Sequence, residues 1–371
     1  MNLSYWETKT WFSNIDFCII GSGITGLNCA LSLKERFPKS KILILERGIL
    51  PNGASTKNAG FACFGSVSEI LDDLNSHSEE EVLQLVQKRL KGLKLLRKNL
   101  GDQNIRYKEY GGYELFTSQD IALFEKCRAA LPQLNKMLKP TFGDAVFSVQ
   151  KDSFDFKNIH KKLIFNQFEG QLNTGKMMET LLYKVQKAGI KILNNITVEG
   201  FVETRDSVKI KTDKLDFSAN KLLIATNGFS EKLGISQVKP ARAQVLITKP
   251  IKNLEIKGTF HLDKGYYYFR NIDDRILFGG GRNLDFKAEE TTEIAQTEII
   301  QQKLEELLKT TVLPETSFEI DQRWSGIMGV GKQKNPVVKQ ISDNVYCGVR
   351  LGGMGVAIGS LVGKELSELI K

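Results

Sequence analysis

Ile15-Asp16-Phe17-Cys18-Ile19-Ile20-Gly21-Ser22-Gly23-Ile24-Thr25-Gly26 decides the fold. Five of the first six residues are apolar, which suits a buried strand. The glycines then open a segment, Leu27 to Phe37, that reads as a helix ending near Pro38. Lys41-Ile42-Leu43-Ile44-Leu45-Glu46 is a second apolar strand that ends in an acid. Strand, glycine turn, helix and strand in about thirty residues make a βαβ unit. Gly21 permits the tight turn, Gly23 lets a pyrophosphate approach the backbone, and Gly26 lets helix and strand pack closely. The helix start, with Ser22, Ile24 and Thr25, offers free N–H groups and a positive dipole to that pyrophosphate. Glu46 stands 20 residues beyond Gly26, where an acid accepts hydrogen bonds from an adenosine ribose, with Arg47 beside it. The fingerprint implies a dinucleotide and leaves NAD and FAD open.

The surrounding chain has 371 residues, which suits two domains or one large domain carrying an insertion. Hydrophobic residues make up 41% and charged residues 26%, and only 8 prolines occur, so a disordered or fibrous chain is excluded. There is no apolar run of roughly 18 residues, so no membrane-spanning helix is expected. The first residues lack a basic start followed by an apolar stretch, so no signal peptide is expected. Five cysteines, with Cys18 and Cys29 in apolar segments and no CxxC spacing, point to a reducing cytoplasm without a disulfide framework. The net charge of +9 reads as a solvated surface rather than a nucleic-acid footprint. Its densest cluster, Gln87 to Lys94, is interleaved with leucines and reads as the wet face of a helix. His77, His160 and His261 match no zinc spacing and read as surface or packing residues, and no metal is expected. No GxSxG elbow and no Walker A lysine loop occurs.

Ser78 and Glu81 form a capping-box pattern for a helix over 78–100, with Val82, Val86, Leu90 and Leu93 as its apolar stripe. A second helix is expected over 120–137, interrupted near Pro132, and a third from Asn173 to Gly189. Ile190 to Phe201 reads as one long strand or a pair, and Lys221 to Thr226 as a buried strand ending at Asn227-Gly228. From Ala241 to Phe278 the pattern alternates, and Asn271-Ile272-Asp273-Asp274 is a hairpin signal, so an antiparallel sheet is expected. A polar helix is expected over 289–309, then a strand at 344–349, a glycine turn at 352–355 and a closing helix to Ile370. The expected fold class is α/β: a Rossmann-type dinucleotide domain over 1–75, 150–235 and 320–371, with an inserted antiparallel-sheet (α+β) substrate domain over 76–149 and 236–319.

Gly53-Ala54-Ser55-Thr56-Lys57-Asn58-Ala59-Gly60 follows the ribose acid, and Gly348-Val349-Arg350-Leu351-Gly352-Gly353-Met354-Gly355 closes the chain's last strand. With these two stretches the sequence resembles the D-amino-acid oxidase (DAO) superfamily of FAD-dependent oxidoreductases, the group that holds glycine oxidase, sarcosine oxidase and gamma-glutamylputrescine oxidase. The Ser4-Tyr5-Trp6 opening resembles the last of these. The similarity is strongest over 15–65, 170–230 and 320–371. It implies noncovalent FAD, because no cysteine lies near Trp324 to Val330. It further implies that Ala54 belongs to the cofactor-binding loop, that Ser55 touches the FAD phosphate, that Asn58, Ala59 and Gly60 lie near the flavin, and that the backbone of Val198 meets adenine. Ala225, Thr226, Asn227 and Gly228 match a strand end that lines the cofactor. Arg350, Leu351, Gly352, Gly353, Met354 and Gly355 match a loop under the isoalloxazine. A glycine turn opening a helix there would stabilise the negative charge of a reduced flavin.

Alternation puts Tyr266, Tyr268 and Arg270 on one side of a strand and Tyr267 on the other, so one face can line a substrate pocket. Relatives that oxidise amino acids carry an arginine that grips the carboxylate after the stretch matching Trp324-Ser325-Gly326. Here Met328 occupies that place, which argues against simple glycine or D-amino-acid oxidation. Arg282, Arg323 and Arg350 are the possible substitutes. The resemblance implies oxidation of the C–N bond of a small amine or amino acid by hydride transfer to flavin N5, with oxygen as acceptor and hydrogen peroxide as product. Two alternatives are a flavin-dependent 2-hydroxy-acid dehydrogenase and a tRNA wobble-uridine modification oxidoreductase.

Overall fold

The computed structural model describes residues 2–371. A single turn, α1 (Tyr5–Glu7), precedes β1 (Ile15–Ile20), α2 (Ile24–Arg36), β2 (Ile42–Leu45) and β3 (Phe61–Ala62). Next come α3 (Val67–Leu74), α4 (Glu79–Leu100), β4 (Gly112–Glu114) and α5 (Ile121–Phe142). Then β5 (Phe147–Lys151), β6 (Lys162–Asn166) and β7 (Gly170–Gln171) lead into α6 (Thr174–Lys187). β8 (Lys191–Leu193), β9 (Val198–Glu203), β10 (Val208–Thr212) and β11 (Asp216–Ile224) follow. β12 (Lys239–Thr248), β13 (Thr259–Leu262), β14 (Tyr267–Ile272) and β15 (Arg275–Gly280) precede α7 (Glu298–Leu307). The chain ends with β16 (Ile320–Val330), β17 (Val337–Ser342), β18 (Val345–Val349) and α8 (Gly355–Glu368).

Two eight-stranded sheets carry the molecule. The first has the order β17-β18-β11-β1-β2-β8, and β9 and β10 extend it from β11. Its centre is parallel, with Ile20 of β1 in register with Leu45 of β2 and Ile224 of β11. Both faces are covered. Ile19, Ile44 and Leu223 pack under the helices, while Cys18, Leu43 and Leu222 pack on the opposite side. That double burial is why these strands read as unbroken apolar runs. The second sheet has the order β16-β12-β15-β14-β13-β4-β6-β5 and is antiparallel except where β13 meets β4.

The sheets redraw the boundaries expected from sequence. Residues 320–330 form β16 and pair along β12, from Lys239 opposite Val330 to Thr248 opposite Ile320, so they belong to the second sheet. Residues 162–166 join the second sheet through β4 and β5. Helix α4 serves both halves. Val82 and Val86 pack with α5, whereas Leu93, Leu96 and Leu100 enter the core beneath β1. Gly92 makes that possible, since a Cβ there would stand 2.3 Å from the Ala357 carbonyl of α8.

Two local expectations also change, and one left open is settled. Helix α5 runs unbroken through Pro132 and Pro140. Both prolines are exposed, and the opposite face buries Phe124, Cys127, Leu131, Leu134 and Leu138, so packing outweighs the lost hydrogen bonds. The expected helix over 289–309 starts only at Glu298. Glu289 is held by Arg242 and Gln244, and Gln244 also bonds Thr297, so this stretch is spent on tertiary contacts. The segment 190–201 resolves into two strands, β8 and β9.

Candidate active site

One cavity of about 740 Å³ lies between the two sheets and takes its lining from both. Its first wall is the βαβ turn. Gly21 has φ +103°, and its carbonyl lies where a Cβ on Gly26 would be, 2.0 Å away. A larger residue at Gly26 therefore cannot keep this turn. Gly21, Gly23, Ile24 and Thr25 line the cavity, while Ser22 and Gly26 brace the turn from behind. Ser22 donates to Glu46 through its backbone N–H at 3.1 Å and its hydroxyl at 2.7 Å. Glu46 also accepts from Gly48 N–H at 3.0 Å and borders the cavity, so its carboxylate is fixed before any ligand binds. Arg47 beside it stacks 3.7 Å from the Phe229 ring centre.

The 53–60 loop forms the second wall. Ser55 Oγ accepts from Ile24 N–H at 2.9 Å, placing the hydroxyl at the start of α2. Ala54, Asn58, Ala59 and Gly60 border the cavity with it. Asn58 fixes its own loop by donating to the Ser55 carbonyl at 2.8 Å and accepting from Gly60 N–H at 2.9 Å. Val198, Ala225, Thr226 and Asn227 line the adjoining side. Gly228 does not, because it packs on β16, where a Cβ would stand 2.4 Å from the Met328 carbonyl.

The C-terminal loop closes the cradle. Arg350, Leu351, Gly352, Gly353, Met354 and Gly355 all border the cavity. Asn227 Oδ1 accepts from Leu351 N–H at 3.1 Å, and Gly352 N–H donates to the Gly329 carbonyl at 2.9 Å. These bonds tie the loop to both sheets. At the N-terminus of α2, Ile24 N–H is capped by Ser55 Oγ from the neighbouring loop, while neither N-cap residue, Gly23 of α2 nor Met354 of α8, supplies a side-chain cap, and the first residues of both helices border the cavity. Two sets of free N–H groups thus meet one space, along with the buried hydroxyls of Thr25 and Thr226, which have no partner. A dinucleotide with an anionic pyrophosphate fits this lining, as does a flavin over the second helix start.

The second sheet supplies the opposite wall. Tyr266, Tyr268, Ala243 and Val245 face inward, and Tyr267 points into the second sheet's own core. Arg270 does not reach the cavity. It sits behind the 58–60 loop, where Nη2 donates to the Leu172 carbonyl at 2.9 Å. Its expected substrate-side place is therefore corrected: the close packing of Gly60 shields it. Met328 borders the cavity beside Gly353. Of the three substitute arginines, Arg323 lies outside the lining and is held by Gln301 at 2.8 Å and Glu305 at 2.6 Å. Arg282 lines the cavity, with its guanidinium 4.7 Å from the Phe286 ring centre. Arg350 also lines it and has a left-handed backbone, φ +66°.

Three cavity residues escape the sequence reading. His261 is only 5% exposed, and its Nε2 lies 2.5 Å from Glu169 Oε1. Burial alone would lower its pKa, but the charge and hydrogen bond of Glu169 reverse this and raise it to about 9. The pairing favours the imidazolium form, on a side chain that also packs edge-on against Phe61, 5.3 Å between ring centres. Cys63 lies in the wall, with its thiol 3.7 Å from Met354 Sδ, and burial, helped by Glu169 and Glu69, pushes that thiol well up. Such a thiol is a poor nucleophile. Arg89 is buried at the cavity from α4. The last had a signal: Val82, Val86, Arg89, Leu93 and Leu96 follow one helical stripe, so an arginine stands where periodicity calls for an apolar residue.

The family profile described as "DAO: FAD dependent oxidoreductase" matches residues 16–369. A Haemophilus influenzae protein named as oxidoreductase OrdL is 23% identical, covering 97% of this chain and 84% of its own. The gamma-glutamylputrescine oxidoreductase of Escherichia coli is also 23% identical, covering 96% and 83%. Among solved structures, glycine oxidase from Geobacillus kaustophilus superposes with a TM-score of 0.75 at 18% identity, covering 96% of this chain and 95% of that one. L-proline dehydrogenase from P. horikoshii gives 0.74 at 17% identity, covering 96% and 93%. Among the described residues no helix is long and apolar enough to cross a membrane. The two glycine cradles and the family match over nearly the whole chain make this protein a member of the DAO family of FAD-dependent oxidoreductases.

Proposed function

We propose that the protein oxidises the C–N bond of a small amine or amino acid, with oxygen as the final acceptor and hydrogen peroxide as product. The observation that carries this reading is the cavity in which the starts of two helices, neither capped by its own N-cap side chain, face an aromatic sheet wall. The relatives named for amines and amino acids support it. The start of α2 would hold the pyrophosphate, Glu46 the ribose, Val198 the adenine and the 350–355 loop the flavin end. FAD bound there supplies a two-electron acceptor for the hydride on the carbon beside the nitrogen.

The chain's own residues do the rest. Tyr268, Val245 and Met328 shape a largely apolar space that excludes water and favours an uncharged amine. Tyr268 is held by its edge-on contact with Phe61, 5.5 Å between ring centres. The His261 imidazolium and the α8 N-terminus would make the space electropositive, which suits a reaction that places negative charge on the cofactor. No strong base is required, because positioning carries the step. Noncovalent attachment is part of the proposal and rests on the lack of a cysteine in Trp324 to Val330 and on the burial of Cys63. A cytoplasmic setting rests on five free, buried cysteines.

The test is to mix the protein anaerobically with secondary amines, polyamines, amino acids of both hands and 2-hydroxy acids, then admit air. Bleaching by an amine class, with rapid return of colour and stoichiometric peroxide, is expected. Bleaching by hydroxy acids alone would overturn the amine assignment, and slow recovery in air would overturn oxygen as acceptor.

A further inference from the structure

At the end of the first sheet opposite the cavity, the chain holds two aromatic rings out in water. Tyr5 and Trp6 are 64% and 71% exposed and meet edge to face, 5.1 Å between ring centres. They sit on α1, which buries no residue of its own. A helix this short does not persist on propensity alone. Here Ser4 and Glu7 cap it reciprocally, and it widens into a π-turn over Thr8–Phe12 whose Trp11 and Phe12 pack on the core. Phe12 meets Phe217 at 5.4 Å between ring centres. Lys41 donates to the Lys9 carbonyl at 3.2 Å and Lys191 to the Thr10 carbonyl, which closes the C-terminal end. Several contacts thus fix in place two rings that touch no core.

The surroundings are basic. Lys41 precedes β2, Lys191 opens β8 and Lys187 closes α6, so all three stand at the N-terminal ends of the parallel strands. Gly21 and Glu46, at the other ends of β1 and β2, carry the cofactor cradle. Lysines also lie over the rings: Lys9 over Tyr5 at 5.4 Å, Lys191 over Trp11 at 4.5 Å and Lys187 over the exposed Tyr183 at 6.0 Å. Burial, then the nearness of Lys191, lowers the pKa of Lys41, a sign of crowded like charges. Two acids of this end are engaged, Glu7 as a cap on α1 and Asp16 by the Lys41 N–H at 2.7 Å. Exposed Glu35 is outnumbered by Arg36 and Lys39 beside it.

We propose that this patch of aromatic rings and lysines docks the protein on the surface of an anionic lipid bilayer. Rings such as those of Tyr5 and Trp6 are amphipathic and settle at headgroup level, where lysines meet lipid phosphates. A second copy of the chain does not fit the patch, because two such surfaces would set lysine against lysine. A cytoplasmic protein meets an anionic leaflet. In this pose the cofactor ends of the strands point away from the lipid, and docking is independent of which amine is oxidised.

Cosedimentation of the FAD-loaded protein with vesicles tests the docking surface. Binding is expected to vesicles of phosphatidylcholine mixed with phosphatidylglycerol, weakens as salt is raised, and is absent with phosphatidylcholine alone. Tryptophan emission shifts to the blue on binding. Trp6→Ala, checked by its FAD content, weakens binding at least about tenfold and removes the shift. Lys9→Gln and Lys187→Gln each weaken it about fivefold. Lys126→Gln, exposed on α5 of the other half, leaves it unchanged. Should Trp6→Ala lose FAD, the lysine variants decide. Binding to neither vesicle, equal binding to both, or native binding by FAD-replete Trp6→Ala or by both lysine variants would each overturn the proposal. Trp6-dependent binding to single-stranded RNA, with none to vesicles, would overturn it in favour of nucleic acid.

Discussion

The two walls of the cavity are built by opposite means. The wall from the first sheet is mainly backbone: a glycine turn, two helix starts and a loop pinned by its own asparagine. The wall from the second sheet is mainly side chains: tyrosines, a histidine paired to a glutamate, and an arginine from a distant helix. A backbone site needs particular residues at fixed local spacing, because only glycine tolerates the close approaches. A side-chain site needs only that distant residues meet. The first wall therefore tolerates little substitution and accepts one kind of ligand, while the second can change its substrate residue by residue.

The largest effect should come from the backbone wall. Gly26→Ala forces a Cβ to 2.0 Å from the Gly21 carbonyl, an atom that cannot move without opening the turn. A loss of about 3 kcal/mol or more in urea unfolding is expected, with no retained FAD. A stable yellow variant would break the contrast. Gly23→Val is the sharper version. Its nearest neighbour is the movable Ser55 hydroxyl, so the protein should fold but emerge colourless. Full FAD occupancy there would remove Gly23 from the pyrophosphate site.

Next in size is the His261–Glu169 pair on the other wall. His261→Gln leaves a buried carboxylate uncompensated and should cost about 3 kcal/mol. The pH dependence has a definite sign. The folded pKa, about 9, lies above histidine's ordinary value of 6.5, so the pair's stabilisation is complete below pH 6.5 and lost as pH rises through about 9. Urea unfolding across that window should show the decline in the native protein and its loss in His261→Gln. A flat native profile would mean that His261 is neutral.

Smaller effects test the packing. Pro132→Ala should stabilise the chain by about 1–3 kcal/mol, since it restores a hydrogen bond on an exposed face of α5. An unchanged melting temperature would show that α5 bends there at no cost. Tyr268→Phe should alter stability by no more than about 0.5 kcal/mol, since the ring keeps its contacts. An unchanged response to every amine would remove its hydroxyl from the substrate site.

Legibility follows the same division. The βαβ unit, the 53–60 loop and the closing glycine loop could be read because their chemistry is local. The placement of β16 could not, since its partner β12 lies about 80 residues earlier and antiparallel pairing leaves no mark at that separation. Arg270 followed the alternation of its strand yet landed behind Gly60, because depth is set by what packs above the strand. His261 looked bland for want of a nearby partner, as Glu169 arrives from a different segment. Arg89 left a trace as a charged residue in an apolar stripe, but basic neighbours on the wet face concealed it.

The most direct test of the central claim is the visible flavin band of the purified protein, followed anaerobically during titration with amino acids and with polyamines. The account predicts a protein that copurifies with FAD and is bleached by one class among the amines and amino acids. A colourless protein that takes up no FAD would contradict the cradle, and an FAD-replete protein that no amine bleaches would contradict the function assigned to the wall facing it.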